Sequence, residues 1–190
     1  MHTESAPLHQ ADIARRYAQV RAQTRHLIEG QSAEYCALQS MPDAGPLKWH
    51  LAHTTWFFET FVLERFARDH TPFHPAYRYR YNSYYNTIGE QYPRARRGLL
   101  SCPALEGILR YRAQVNARMT VLLTTQALTV DAASILALGL HHEQQHQRFS
   151  GLRLMMVLLK SATTAQALHS ITNHRATSSM LPRLNRQIAR

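Results

Sequence analysis

Four stretches of the 190-residue chain repeat apolar residues at the three- and four-residue spacing of an amphipathic helix. They cover residues 11–29, 47–68, 104–124 and 131–160, and Asp131 is the candidate N-cap of the fourth. Four amphipathic helices joined by short turns and one long crossover form a four-helix bundle. The sequence therefore predicts an all-α fold, with its long crossover loop between the second and third helices.

The predicted crossover, residues 69–103, is unusual for its length. It contains four prolines and two glycines, and six tyrosines lie between Tyr77 and Tyr92. An irregular loop of this length inside a compact domain is often functional. An ordinary surface excursion is the alternative interpretation.

Charge divides the chain into two parts. Residues 148–190 contain seven Lys or Arg and no acid, so they carry +7 of the net charge of +10. We expect a domain over 10–160 and a poorly ordered basic tail over 161–190. Nucleic acid or anionic lipid binds such tails, but no aromatic residue that could stack on bases follows Phe149. Neither a nucleic-acid nor a membrane partner is expected.

The polar N-terminus and the low cysteine count favour a cytoplasmic location. The polar N-terminus lacks the apolar core of a secretory signal, and no run of about 18 apolar residues is present. Cys36 and Cys102 are too few for a disulfide framework, and Cys36 is expected to be buried and inert. A reducing, cytoplasmic location is therefore predicted.

The pentapeptide His142-Glu143-Gln144-Gln145-His146 carries the clearest chemical signal. Histidines four positions apart lie on one helix face, where both rings can reach one divalent metal ion. A solvated helix rich in Gln and His is the alternative. Metal sites in bundles draw ligands from facing helices, and either His50 or His53 on the second helix can supply the third. Three imidazoles suit zinc, iron, copper or nickel.

The same pentapeptide matches the H-E-x-x-H pattern of zinc proteases. The extended protease motif needs a glycine and a histidine where this chain has Phe149 and Leu152. A downstream glutamate ligand is excluded because no acid follows Glu143. Glu143 is then expected to support the site from behind or to lie on the surface.

Several segments occur in an informative order. They are QSMPDA at 39–44, KWHLAHTTWFFE at 48–59, YNSYY at 81–85, PRARRGLL at 93–100 and LGLHHEQQHQ at 138–147. In this order they resemble the N-terminal DinB-like domain of the ergothioneine-biosynthesis sulfoxide synthases. The resemblance extends over residues 10–147.

The resemblance implies a non-haem iron(II) enzyme that uses O2 to join a thiol to hercynine, which is trimethylhistidine. The thiol is cysteine or γ-glutamylcysteine, and the product is a sulfoxide. By motif, the iron ligands would be His53, His142 and His146, so the resemblance selects His53 over His50. His141 is expected to point elsewhere.

The resemblance also assigns substrate contacts. Gln145 would contact hercynine, and Arg94 and Arg97 would hold the carboxylate of the thiol substrate. Arginine suits that task because it makes bidentate contacts. A solvated basic turn is the alternative for these arginines. The crossover loop would fold over the iron.

The chain departs from the family after Gln147. Family members continue into a further domain that supplies a catalytic tyrosine and much of the substrate pocket, and the acid-free segment here does not resemble it. We hypothesise a frameshift or a degraded gene near residue 147 and expect an incomplete enzyme. A stand-alone DinB-like thiol transferase using zinc or nickel, and a non-catalytic remnant, are the alternatives.

Overall fold

The computed structural model describes the backbone of residues 5–148 and the side chains of residues 10–148. Within that range all regular structure is helical, apart from one isolated bridge between Met41 and Ala44. The helices are α1 (Ser5–His26), α2 (Ala33–Ala37), α3 (Leu47–Phe58), α4 (Glu64–Phe66), α5 (Tyr77–Arg80), α6 (Leu105–Thr125) and α7 (130–148). The predicted all-α fold is confirmed. The rest of the predicted fourth helix and the tail 161–190 lie outside the described residues.

Helix α3 is the central element of the fold. All twelve of its residues are buried, so it is enclosed on every side rather than along the single stripe that its periodicity predicted. A π-helical segment, Glu59–Leu63, continues it into α4. The predicted second helix is thus one continuous helical run that ends at Phe66, two residues short of the expected end.

The crossover between α4 and α6 is irregular, as predicted, but hydrogen bonds within the loop hold part of it in place. It contains α5 and a 3-10 segment, Arg94–Leu99. Asn82 is fully buried, and its amide donates to the carbonyl oxygens of Tyr85 and Gly89 at 3.0 Å. Because the turn is closed by these bonds, the loop can present a fixed surface to α3.

Helix α7 packs closely on α3 and begins at a different residue from the predicted one. A Cβ atom added to Gly139 would lie 2.8 Å from the rings of Phe57 and Phe58, so only glycine allows this approach. The predicted N-cap at Asp131 is wrong, because the Thr129 hydroxyl accepts the Ala132 N–H at 3.2 Å. Asp131 instead pairs with Arg65 at 3.0 Å on the surface.

Candidate metal centre

Three histidines from two helices converge where α3 and α7 meet. His53 Nε2 lies 3.1 Å from His142 Nε2, and His146 Nε2 lies 3.0 Å from the same atom. One nitrogen from each ring lies within 4.8 Å of the other two. His53 comes from α3, whereas His142 and His146 are one turn apart on α7.

A hydrogen bond fixes the tautomer of His53, so that the unprotonated nitrogen of its ring faces the cluster. Its Nδ1 lies 2.6 Å from the carbonyl oxygen of Tyr81. A carbonyl only accepts, so Nδ1 carries the proton and Nε2 is left unprotonated. Burial, and then the neighbouring His146 and His142, hold the pKa of His53 well below its ordinary value. The ring is therefore neutral and ready to bind a cation.

The second ligand candidate is neutral for the same main reason. Burial lowers the pKa of His142 to about 4. Its Nδ1 is buried and has no hydrogen-bond partner among the described residues. Since its Nε2 faces two other imidazole nitrogens at once, a single proton there can satisfy only one of them.

These contacts fit a metal ion. Two nitrogen atoms bound to one zinc or iron ion at about 2.0–2.2 Å lie roughly 3.0–3.4 Å apart, close to the separations of 3.0 and 3.1 Å. No carboxylate belongs to the cluster among the described residues. Three histidines on one side of an ion leave its other positions open to water or substrate. The trio can therefore hold a divalent metal ion.

His50, the other candidate on α3, lies behind the cluster. Its Nδ1 is 2.7 Å from Nδ1 of His146, on the side of that ring turned away from His142. The structure thus brings His53 rather than His50 together with the α7 pair. His141 is exposed, as expected.

Aromatic rings surround the cluster. Trp49 stacks on His53 at 4.6 Å with an angle of 14°, and Trp56 lies on the same ring at 5.7 Å and 16°. Phe57 lies 5.0 Å from the ring of His142. Tyr85 of the crossover packs 5.6 Å from Trp56. Aromatic rings from α3 and the loop thus form an apolar enclosure around the buried His53, and Phe57 borders the half-buried His142.

Glu143 points away from the histidines and is fully buried, so the surface position, one of its two expected positions, is wrong. It accepts hydrogen bonds from Arg21 of α1 at 2.9 Å, Arg112 of α6 and Thr24. A protease would need this carboxylate to face metal-bound water. Ion pairs to two arginines exclude that role and make Glu143 the centre of a buried triad with Arg21 and Arg112.

The structure places the three predicted substrate residues in different surroundings. Arg97 is buried, stacks 3.5 Å over Trp49 and donates to Ser83 Oγ at 2.8 Å. Arg94 is half-buried against Tyr84, with 4.9 Å between guanidinium and ring centre. Gln145 is exposed. Their roles in substrate binding stay predictions.

Sequence reasoning missed two supports of the site. The carbonyl of Tyr81 orients His53, and a backbone atom leaves no mark in a side-chain pattern. The triad did leave one, because Arg112 occupies a position within the apolar stripe of α6 and is buried there. An arginine inside such a stripe indicates a buried acid elsewhere in the fold.

No helix in the described part of the chain is both long and apolar enough to cross a membrane.

Comparison with known proteins identifies the family of this chain. No curated protein gave a significant match. A family model described as the DinB superfamily matches residues 16–150, a span that holds all three clustered histidines and the buried triad. With its helical bundle and its histidine cluster shared between two helices, the chain belongs to the DinB superfamily.

Proposed function

We propose that this chain is the metal-binding domain of a non-haem iron(II) sulfoxide synthase of the ergothioneine type. The single observation that carries the proposal is the convergence of His53, His142 and His146, with no carboxylate among the described residues at the cluster. The order of the sequence segments supports it, because the third histidine comes from the W-H-L-A-H segment and the other two from H-H-E-Q-Q-H.

The proposed reaction joins hercynine to cysteine or γ-glutamylcysteine. A C–H bond of the imidazole and the S–H bond of the thiol are broken, and a C–S bond is formed. One oxygen atom of O2 becomes the sulfoxide oxygen and the other leaves as water with both hydrogens, so O2 accepts four electrons. A bound iron(II) ion would supply the activation of O2.

The protein's own residues would hold and orient the reactants. The neutral histidine trio keeps an iron(II) ion dipositive, which favours a thiolate and an imidazole beside it. The aromatic enclosure suits the trimethylammonium group of hercynine, since cations are attracted to ring faces. We assign Gln145 to hercynine and Arg94 and Arg97 to the carboxylate of the thiol. Arg94 is the more accessible of the two arginines.

A stand-alone thiol transferase using zinc or nickel is the second candidate. The observation that favours it is the donor set itself, because neutral imidazoles bind zinc and nickel as well as iron. In that enzyme the metal ion would bind the thiol as a thiolate, and no O2 would be consumed.

Metal analysis and oxygen uptake separate the two functions. The chain is purified anaerobically, loaded with iron(II), and mixed with hercynine and each thiol while O2 and sulfoxide are measured. His53→Ala should abolish stoichiometric metal binding, and the matched control His141→Ala, at an exposed histidine beside the ligands, should not. Sulfoxide formation supports the synthase. Firmly held zinc with no oxygen uptake supports the transferase, and equal metal content in wild type and His53→Ala refutes both.

A further inference from the structure

His50 stands one turn before His53 on α3 and contacts the cluster at His146. Its side chain is buried, with 5% of its surface exposed. The two Nδ1 atoms are 2.7 Å apart, and the ring centres are 4.9 Å apart. The contact uses Nδ1 of His146, whereas Nε2 of the same ring points at His142.

The short contact has only one protonation pattern that suits metal binding. A nitrogen–nitrogen contact of 2.7 Å requires one proton between the two atoms. To bind an ion through Nε2, a neutral His146 must carry its proton on Nδ1. The Nδ1–H group of His146 then donates a hydrogen bond to Nδ1 of His50, whose lone pair accepts it. His50 must therefore be the tautomer protonated on Nε2.

The surroundings of His50 hold its ring in place. Trp49 lies edge-on to it at 5.3 Å and 89°. A Cβ atom added to Gly45 would lie 3.2 Å from Trp49 and 3.4 Å from His50 Nε2, so the chain before α3 closes tightly over both rings. A ring confined in this way offers its lone pair in a fixed direction.

We propose that His50 is a positioning residue, which sets the tautomer and ring orientation of His146 for metal binding. It does for His146 what the carbonyl of Tyr81 does for His53. Ligand histidines generally need such a partner on their other nitrogen. The inference rests on metal binding by the proposed function, but not on its substrates.

The test compares two replacements at His50 with a matched control. His50→Phe keeps a ring and removes the acceptor, whereas His50→Gln keeps an acceptor in its amide oxygen. The affinity for Zn²⁺ and Co²⁺ is measured by competition with a chromophoric chelator. We expect His50→Phe to weaken binding by about 10–100-fold, and His50→Gln to restore most of the loss. His141→Phe, at the exposed histidine, should bind as wild type.

Nitrogen NMR of histidine-labelled wild-type protein provides a readout that folding defects in the variants cannot disturb. We expect the ring of His146 to show a protonated Nδ1, with scalar coupling across the hydrogen bond to Nδ1 of His50. Absence of that coupling overturns the inference, as does a His50→Phe variant that binds metal like wild type. Equal losses in His50→Phe and His50→Gln also overturn it. Wild-type protein that binds no metal refutes the proposed function itself, and with it this inference.

Discussion

Replacing Glu143 by glutamine should destabilise the fold far more than its single lost charge suggests. The carboxylate is fully buried and receives Arg21 Nη1 at 2.9 Å, Arg112 Nη2, and the hydroxyl of Thr24 at 2.5 Å. Glutamine keeps the size of the side chain but leaves two buried guanidinium groups without an anion. Burial already lowers the pKa of Arg112 to about 10, with Arg21 adding to the effect.

Two independent routes give similar magnitudes for Glu143→Gln. Burial by itself would raise the pKa of Glu143, but the charges of Arg21 and Arg112 outweigh it and hold the pKa at about 2, below the ordinary 4.5. At about 1.4 kcal/mol per pH unit, that difference corresponds to roughly 3 kcal/mol at neutral pH. Removing one partner of a buried ion pair costs about 3–5 kcal/mol. Against a total stability of about 5–15 kcal/mol, the loss is large.

Urea unfolding at pH 7, followed by circular dichroism, measures the effect. The matched control is Glu106→Gln, which breaks an exposed pair with Arg110 on the surface of α6 and should cost less than about 1 kcal/mol. The advantage of wild type over Glu143→Gln should be complete above pH 4.5 and decline as the pH falls towards 2, because Glu143 is protonated later in the folded state than in the unfolded one. Equal losses in the two variants would refute the reasoning.

Three further outcomes are expected. Gly139→Ala should cost about 1–3 kcal/mol in urea unfolding, because its Cβ would lie 2.8 Å from the rings of Phe57 and Phe58; an unchanged midpoint contradicts the packing. Metal-free protein should lose stability as the pH falls from 6.5 towards 4, since burial lowers the pKa of His142 to about 4 and only the unfolded chain binds the proton; a flat stability profile contradicts this. A chelator should lower the Tm of zinc-loaded protein, by mass action worth about 2.7 kcal/mol at one hundred times the Kd; an unchanged Tm contradicts metal binding.

Helical periodicity was enough to predict the bundle, because apolar residues recur at three- and four-residue spacing on the buried face of a long amphipathic helix. The structure describes both ends of three of the four main helices. Their predicted bounds agree with the observed ones to within a few residues, except that α1 begins earlier, at Ser5. Periodicity missed local details, such as which side chain caps the first turn of a helix. Thr129 rather than Asp131 caps α7, since a two-residue difference in the cap leaves the apolar stripe unchanged.

The candidate site was only partly predictable from the sequence. The spacing of His142 and His146 fixes their common face, because i and i+4 positions coincide on any helix. The choice between His50 and His53 depends on how α3 is rotated against α7, which neither spacing nor composition determines. That rotation follows from tertiary contacts, including the approach of Gly139 to Phe57 and Phe58.

The neighbouring positions of Glu143 and His142 explain why the cluster is preformed. Successive helical residues point about 100° apart, so α7 turns its histidines to α3 while Glu143 reaches Arg21 of α1 and Arg112 of α6. A slip of α7 by one residue would separate the histidines and break both ion pairs together. The buried triad therefore fixes the register of the helix that carries two ligands. Since folding itself orders the ligands, their conformational entropy is not lost again when a metal ion binds.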